Sequence, residues 1–547
     1  MSTEKETGLL PARTEVFAVA AIAVAASITS VTNGFALDDI PIVLRNEAVH
    51  SAGNMFRHLS GTYWPVEYGA SLYRPFTSIA FSLQWLAGGG SPLPFHIVSV
   101  VLYACVSLLV LRLGRQVAGS VTGFAAAAIF AAHPLHVEAV ANVVGQSELW
   151  AAMLMLAALT RWLDLRARGP LSPSDIALLA AAYGAALMFK EHAIVLPALI
   201  LAAEAILPAR GGRSIRSILP LLAAMLLVAV IFLVVRTAVI GKFAGGSTSV
   251  VFAGQDYGTR FFTMLAVMPE WGRLFFWPSS LSADYSPPRI ATRESFEIAM
   301  ALPIAAVAIL AAVAIRVRRT HPGASFGSAF VGITLLIPSN LVVVTGFALA
   351  ERALFLPSAG VALVLGYLFA FLWSRASEPG PRRAVLAAAA GVLVLGIAKS
   401  STRGPVWKDN EALFHQTVKD TPRSYRAHLQ LGELLTDQRK TAEGLSSLVT
   451  AVALSRPQDY WVRWFVADRF HAAGQLDVAV RFYMEALALK PSDAKVRYGT
   501  AMALLSLGDS TRARAIAAEG AKLLPSDERF AGIVQTIDKT RPGYPGA

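Results

Sequence analysis

The stretch "SILPLLAAMLLVAVIFLVVRTAVI" (217–240) holds a single charged residue, Arg236. A helix needs about 20 consecutive apolar residues to cross a bilayer, so this stretch is long enough to span one. The chain is 55% hydrophobic and 15% charged, whereas soluble domains carry about 25% charged residues. Ten other segments of spanning or near-spanning length predict a mainly α, polytopic membrane domain of about eleven spans: 16–36, 94–112, 117–132, 148–163, 175–189, 193–208, 297–315, 325–345, 353–373 and 384–400.

The count of eleven spans excludes one interrupted apolar stretch and includes the N-terminal span. The stretch at 260–278 is interrupted by Pro269, Glu270 and Arg273, which indicates an interfacial or re-entrant helix rather than a span. The N-terminal leader shows no clear cleavage pattern, so we expect the first span to be retained.

Basic loops predict the orientation, because Lys and Arg accumulate on the cytoplasmic side of membrane proteins. With a cytoplasmic N-terminus, and with 260–278 not crossing the membrane, all five basic loops lie on the cytoplasmic side. The first outer loop is then 37–92, and everything after residue 401 faces outward. The basic loops are 112–115, 161–169, 209–216, 316–323 and 381–383.

Charge and cysteine content exclude several classes of protein. The net charge of +12 divides into +8 before residue 403 and +4 from there on. This spread is typical of the cationic margins of membrane spans and does not indicate a nucleic-acid partner. Cys105 is the single cysteine, so neither an internal disulfide nor a thiolate metal site can form.

The C-terminal part has an internal repeat. Pro422, Pro457, Pro491 and Pro525 recur at spacings of 35, 34 and 34 residues, and a period of 34 is the tetratricopeptide signature. We therefore predict a membrane domain over 1–402 and a short α-solenoid of three to four repeats over 403–547. The solenoid could hold a peptide or serve as a spacer or oligomerisation arm.

The predicted outer face collects the conspicuous polar motifs of the first 402 residues. Asp38 and Asp39 follow the first span in "ALDD" (36–39). A lone carboxylate at a span end is usually only solvated, but two at the start of a long loop favour function. Adjacent residues point in different directions, so the two carboxylates can have different roles. A carboxylate that is partly dehydrated at the end of a span has a raised affinity for protons, which suits a general base.

A second outer motif is "HPLHVEAVAN" (133–142), which contains His133, His136 and Glu138. We interpret it first as a hydrogen-bonding or supporting group for substrate, second as a metal site, and third as a helix cap. No third ligand is fixed by the spacing of the two histidines, which keeps the metal interpretation weak.

Cationic groups occupy the same face. Lys190 and His192 lie in "KEH" (190–192), Arg352 in "AERALFLPS" (350–358) and Arg74 in "YRPFTS" (73–78). Surface ion pairs at turns would be the ordinary explanation. If Arg74, Lys190 and Arg352 instead surround one anionic group near Asp38 and Asp39, they form a phosphate clamp. A base and a clamp beside apolar helices suit glycosyl transfer from a polyprenyl-phosphate sugar, in one inverting displacement.

The ordered motifs "LDDIPIVLRN", "YRPFTSIAFSLQWLAGGGSPLPFHIVSVVLY", "FAAHPLHVEAVANVVGQSELWAA", "FKEHAIVLPALILAAE", "LSADYS", "IPSN" and "ERALFLPSAG" resemble the transmembrane and tetratricopeptide repeat-containing protein family. The resemblance covers essentially the whole chain. It implies a GT-C glycosyltransferase fold, a lipid-phosphate-linked mannose donor and serine or threonine acceptors. It also implies an acidic pair in the first outer loop, here Asp38 as base with Asp39 as its neighbour, and places Glu138 near the acceptor.

Other interpretations stay open. A catalytically inactive membrane scaffold ranks second, and a lipid-sugar transporter third. The sequence leaves open the sugar, the acceptor and the choice between the two aspartates; no cofactor is predicted, and a divalent metal is not expected. Compact loops and the short repeat array favour a bacterial inner membrane with periplasmic repeats, with the endoplasmic reticulum membrane and lumenal repeats as the alternative.

Overall fold

The apolar segments are helical in the computed structural model, which describes residues 9–69, 71–207, 215–242, 251–252, 255–287 and 289–539. Most of the predicted basic loop 209–216, and the leader up to residue 8, lie outside the described residues. The chain forms two compact units, one of residues 1–286 and 290–413 and the other of 287–289 and 414–547. We predicted a division at 402/403.

The first unit is built from α-helices joined by short 3₁₀ segments. Its helices are α1 (Ala12–Ser27), α2 (Pro75–Gly88), α3 (Leu93–Ala118), α4 (Ser120–Ala132), α5 (Val137–Ala141), α6 (Gln146–Arg168), α7 (Pro173–Phe189), α8 (Leu196–Ile206), α9 (Leu219–Ile240), α10 (Tyr257–Phe276), α11 (Ala301–Val317), α12 (Pro322–Leu335), α13 (Phe355–Arg375) and α14 (Pro379–Arg403). A further helix, α15 (Asn410–Asp420), contains the boundary between the units.

The protein is an integral membrane protein. Within the described ranges, seven helices are long and apolar enough to span, counted with their 3₁₀ extensions: Ala12–Ser30, Leu93–Ala118, Val143–Arg168, Arg216–Ile240, Ile298–Val317, Glu351–Arg375 and Pro379–Trp407. The pair Ser120–Ala132 and Pro134–Ala141, bent by 52°, makes eight if it is one span.

Among the described residues, seven or eight helices thus have the length and composition of a span, whereas the sequence predicts about eleven spans. Each predicted segment does contain a helix, but α7, α8 and α12 have 17, 11 and 14 residues, fewer than the about 20 residues of a typical span. The polar turn at 190–192 separates α7 from α8, and α12 ends at Leu335, well before the end of its predicted span. α10 continues through Pro269 and is not among the candidate spans.

Small residues allow the central helices to approach closely. A Cβ atom on Gly114 of α3 would lie 2.6 Å from the Cα of Gly123 in α4. One on Gly366 of α13 would lie 2.7 Å from the backbone nitrogen of Ala126 in α4. Such contacts are typical of helix packing in membranes, where close van der Waals contact replaces the hydrophobic effect. α3, α4 and α13 thus form a packed centre, whereas α11 has no buried residue.

Partly or fully buried ion pairs join the ends of helices away from the predicted outer loops. Glu15 of α1 pairs with Arg115 of α3. Arg166 of α6 pairs with Glu204 of α8 through contacts of 2.6 and 3.3 Å. The side chains of this second pair are 4% and 3% exposed, so each ion depends on its partner for solvation.

The second unit consists of paired helices, as the 34-residue period predicts. They are α16 (Tyr425–Asp437), α17 (Thr441–Leu454), α18 (Tyr460–Ala472), α19 (Leu476–Leu489), α20 (Ala494–Ser506), α21 (Ser510–Leu523) and a closing helix α22 (Glu528–Lys539). The turn inside each pair contains a residue with positive φ: Arg439 (64°), Gly474 (75°) and Gly508 (88°). Glycine adopts this conformation readily and arginine does not, so the first repeat departs from the pattern at this turn.

Candidate active site

The acidic turn follows α1 and is held in a strained conformation. Leu37 has a φ of 51°, in the left-handed region that non-glycine residues rarely adopt. Its backbone N–H donates to Asn410 Oδ1 at 2.7 Å, and the N–H of Gly34 donates to the carbonyl of Lys408 at 2.8 Å. Chain from beyond α14 therefore fixes the turn from one side, and the two aspartates that follow Leu37 point in different directions.

Asp39 points inward, where its side chain is 1% exposed. Its carboxylate accepts hydrogen bonds from the backbone N–H groups of Val144 (2.9 Å), Val143 (3.2 Å) and Ala36 (3.3 Å). Val143 and Val144 open the 3₁₀ turn Val143–Gly145, where amides have no partner within the helix. Burial raises the pKa of Asp39 to about 7, although these hydrogen bonds lower it. Asp39 thus joins the loop after α1 to the loop before α6.

Asp38 points outward and meets an arginine from a distant part of the chain. Its Oδ2 lies 3.3 Å from Arg352 Nη2, and its side chain is 25% exposed. Glu138 holds the same arginine twice, through Nη1 at 3.1 Å and through the backbone N–H of Arg352 at 2.9 Å. Glu138 is nearly fully buried, so it fixes Arg352 from the inside while Asp38 keeps access to solvent. Three predicted site residues therefore lie in one ion-paired group, here called the Asp38–Arg352–Glu138 triad.

The other predicted cations lie in ion pairs of their own. Arg74 binds Glu191 in a two-pronged contact, Nε to Oε2 at 2.9 Å and Nη2 to Oε1 at 2.6 Å. Lys190 pairs with Glu148, whose other oxygen lies 3.3 Å from His192 Nδ1. The Nε2 atom of His192 is buried without a hydrogen-bond partner among the described residues.

Burial and nearby charges shift the pKa values of Lys190, His192 and Glu191. Burial lowers the pKa of Lys190 to about 8, although Glu148 opposes the shift. Burial likewise lowers the pKa of His192 to about 4, so the imidazole is neutral near pH 7. Burial raises the pKa of Glu191, but Arg74 outweighs burial and the net pKa is well below its usual value. The charge of Arg74 acts on Arg352, and the charge of Arg352 acts on Lys190. The triad and the ion pairs of Arg74 and Lys190 therefore share one electrostatic environment.

The two histidines of the second motif make contacts within the protein. His133 Nε2 lies 3.0 Å from the carbonyl of Phe275, and its Nδ1 accepts from the N–H of Leu135 at 3.2 Å. His136 bonds Tyr103 through Nδ1 at 2.9 Å and Ser358 through Nε2 at 2.7 Å. All four ring nitrogens are thereby engaged. The described part of the chain contains no group of three His, Cys, Asp or Glu residues arranged to hold a metal ion.

Glu351 does not pair with its neighbour Arg352. Its Oε1 accepts hydrogen bonds from the N–H of Ser282 and the hydroxyl of Tyr285, both at 2.6 Å. The motifs "ERALFLPS" and "LSADYS" are thus in contact, and this anchors the turn that presents Arg352.

The structure brings three residues into this site that we did not predict to be part of it. Glu148 partners Lys190 and His192, Glu191 partners Arg74, and Tyr63 lies against Arg74, whose guanidinium carbon is 5.2 Å from the ring centroid. Glu148 begins a predicted span at its outer end, the same signal that selected Asp38, and could have been found by it.

Comparisons with known proteins agree with the predicted resemblance. Residues 76–236 match the family model described as dolichyl-phosphate-mannose-protein mannosyltransferase, and residues 470–537 match a tetratricopeptide repeat model. The mouse protein O-mannosyl-transferase TMTC3 is 26% identical over 517 residues, covering 87% of this chain. The chain is similar to the TMTC proteins over most of its length.

Two further relatives extend this result. Protein O-mannosyl-transferase F38B6.6 of Caenorhabditis elegans is 27% identical over 77% of this chain, and Tmtc2 of Drosophila melanogaster is 39% identical over 22% of it. The chain spans 55% of the length of the mouse relative and 60% of that of the nematode relative.

Among solved structures, the chain matches the archaeal oligosaccharyltransferase AglB from Archaeoglobus fulgidus, solved with an inhibitory peptide and a dolichol-phosphate. The match has a TM-score of 0.41 and 12% identity, and covers 72% of this chain and 55% of that one. A second structure of an oligosaccharyltransferase from the same organism, tethered to an acceptor peptide, gives a TM-score of 0.38 and 13% identity, and covers 71% of this chain and 55% of that one.

Proposed function

We propose that the protein is a membrane glycosyltransferase that moves a sugar, mannose in the first instance, from a polyprenyl-phosphate donor to a hydroxyl acceptor. Ser and Thr side chains of exported proteins are the proposed acceptors, with the repeats holding the acceptor chain. The observation that carries the proposal is the Asp38–Arg352–Glu138 triad, in which a partly exposed carboxylate lies against a cation that is fixed from behind.

In the proposed mechanism Asp38 is the general base. It takes the proton of the acceptor hydroxyl as the acceptor oxygen forms a bond to the anomeric carbon. The bond from that carbon to the phosphate oxygen breaks in the same displacement, which inverts the anomeric centre. Asp38 suits this role better than Asp39, because Asp39 is buried and already accepts three backbone hydrogen bonds.

Arg352 is the proposed partner of the departing phosphate. A guanidinium group presents a planar set of donors that fits phosphate oxygens. Glu138 supports this role by holding both the side chain and the backbone of Arg352, so that the cation does not have to be ordered when substrate binds. Arg74 and Lys190 are proposed to add positive charge to the phosphate site, with Glu191 and Glu148 fixing their positions.

The test is transfer from synthetic polyprenyl-phosphate mannose to Ser- and Thr-containing peptides by purified protein, followed by mass spectrometry. We expect Asp38→Asn to lower turnover at least 100-fold without changing the unfolding temperature. Glu67→Gln is the matched control, since it removes one carboxylate charge from an exposed position in the same outer loop. Equal turnover in wild type and Asp38→Asn would remove Asp38 from the mechanism.

The predicted orientation is tested separately. A reporter fused after Ser400 should lie outside the cytoplasm, on the proposed catalytic side. A cytoplasmic signal would contradict the alternation of basic loops on which the orientation rests.

A further inference from the structure

The hydroxyl of Tyr63 is a buried donor without a partner among the residues that the structure describes. Tyr63 lies in the first outer loop and is 3% exposed, and its hydroxyl makes no hydrogen bond to any described residue. Tyr73, in the same loop, is 2% exposed, but its hydroxyl donates to the carbonyl of Leu59 at 2.8 Å. An unpaired buried polar group costs free energy, and native proteins contain few of them. The Tyr63 hydroxyl therefore needs an explanation that the Tyr73 hydroxyl does not.

The surroundings of this hydroxyl are those of the proposed reaction centre. The guanidinium carbon of Arg74 lies 5.2 Å from the Tyr63 ring centroid, and the charges of Arg74, Arg352, Asp38 and Asp39 all act on the hydroxyl. Burial raises the pKa of Tyr63 well above its usual value, so the hydroxyl keeps its proton and remains a donor throughout the physiological range.

The backbone holds Tyr63 in place. Its N–H donates to the carbonyl of Leu72 at 2.9 Å, and the N–H of Trp64 donates to the carbonyl of Ser71 at 3.0 Å. The guanidinium of Arg74 covers the ring face, with 5.2 Å between its central carbon and the ring centroid. A rigid donor of this kind loses little conformational freedom when a ligand binds.

We propose that the Tyr63 hydroxyl donates a hydrogen bond to the phosphate group of the lipid-linked donor, beside Arg74. An anionic phosphate oxygen fits this position because it only accepts hydrogen bonds and is favoured by the adjacent cations. The proposal rests on the proposed function and adds to it a substrate-binding residue that is neither charged nor part of the acidic pair.

The experiment compares Tyr63→Phe with Tyr73→Phe. Each variant removes one hydroxyl from a buried tyrosine of the same loop, so they are matched in chemistry and location. Binding of a short-chain polyprenyl monophosphate, the donor KM and the unfolding temperature are measured for both variants and for wild type, in the full-length protein.

For Tyr63→Phe we expect 10- to 100-fold weaker binding of polyprenyl monophosphate, the range for losing a hydrogen bond to a charged group. Its unfolding temperature should stay the same or rise, because an unpaired buried hydroxyl is removed. Tyr73→Phe should show the reverse, with a lower unfolding temperature and binding within about twofold of wild type, because it leaves the Leu59 carbonyl unpaired.

Unchanged polyprenyl monophosphate binding in Tyr63→Phe would overturn the proposal, as would a lower unfolding temperature with binding reduced equally in both variants. Inorganic phosphate is the second probe. If it displaces the lipid from wild type, the site recognises phosphate itself, and if it does not, recognition includes the lipid. The binding readout needs no turnover, so wild type that binds the lipid but transfers no sugar refutes mannose transfer to these peptides and leaves the Tyr63 contact standing.

Discussion

Replacing Asp39 with alanine should release the loop before α6 without touching the triad. Asp39 accepts hydrogen bonds from the N–H groups of Val143, Val144 and Ala36. Val144 keeps a second acceptor, Asn142 Oδ1 at 3.3 Å, but no other acceptor is seen for the Val143 N–H among the described residues. The change therefore affects the Val143 amide most strongly.

The expected increase in hydrogen exchange at Val143 follows from these contacts. Leaving a buried donor unpaired costs about 1–3 kcal/mol. Taking about 2 kcal/mol for the Val143 amide, local opening becomes about 30-fold more frequent, since each 1.36 kcal/mol is a factor of ten. Exchange of this amide with solvent deuterium should accelerate by the same factor.

Hydrogen–deuterium exchange, read by mass spectrometry on peptides covering residues 142–148, measures this directly. Asp38→Ala is the matched control, because it removes the neighbouring carboxylate and should leave exchange of these amides within about twofold of wild type. Asp38→Ala should lose sugar transfer nonetheless. If Asp39→Ala leaves the exchange of Val143 unchanged, the assignment of Asp39 to the loop junction is wrong.

The same carboxyl gives the junction a pH dependence. Its folded pKa, about 7, lies above the unfolded value of about 3.8. The stability associated with it is therefore fully present below about pH 4 and is lost as pH rises through 7. The loss is at most about 4 kcal/mol, from about three pKa units at 1.36 kcal/mol each. Asp39→Asn does not titrate, so the stability advantage of wild type over this variant should shrink between pH 5 and 8. A difference that stays constant over this range would show that Asp39 is charged throughout.

Four other changes test separate parts of the molecule. Arg352→Ala should weaken donor binding at least tenfold and leave the acceptor KM unchanged, because the guanidinium is proposed to hold the phosphate; equal effects in steady-state kinetics would argue against that role. Since the pKa of Lys190 is lowered to about 8 by burial, donor affinity should fall as pH rises through 8, and Lys190→Arg should remove this decline; a decline that persists in the variant belongs to another group. Arg166→Met should cost about 3–5 kcal/mol of stability by leaving Glu204 buried and unpaired. Adding Glu204→Leu should restore most of the unfolding temperature, and a double variant no better than the single one would contradict this pairing. Arg439→Gly should raise the stability of the repeat unit by about 1 kcal/mol, seen as a higher unfolding temperature, because φ is positive there; a lower temperature would show that the arginine side chain matters more than the backbone strain.

The helical segments could be predicted because hydrophobicity and period are local properties. Each of the eleven predicted segments contains a helix, and the 34-residue spacing of prolines predicted the paired helices of the second unit. The number of spans could not be predicted as well. α7 and α8 read as two spans in the sequence, and whether short apolar helices cross a membrane depends on how their neighbours pack.

The amino-acid sequence by itself determined that this is a helical membrane protein with a tetratricopeptide repeat unit, and it selected Asp38, Glu138 and Arg352 as charged groups in the predicted outer loops. Only the tertiary structure decided which of them meet. Asp38 and Asp39 are adjacent in sequence, but the turn at Leu37 sends one toward Arg352 and the other into a backbone junction. The physical reason is that the energy of a charged side chain depends on its partners and its burial, and residues more than 100 positions apart supply both.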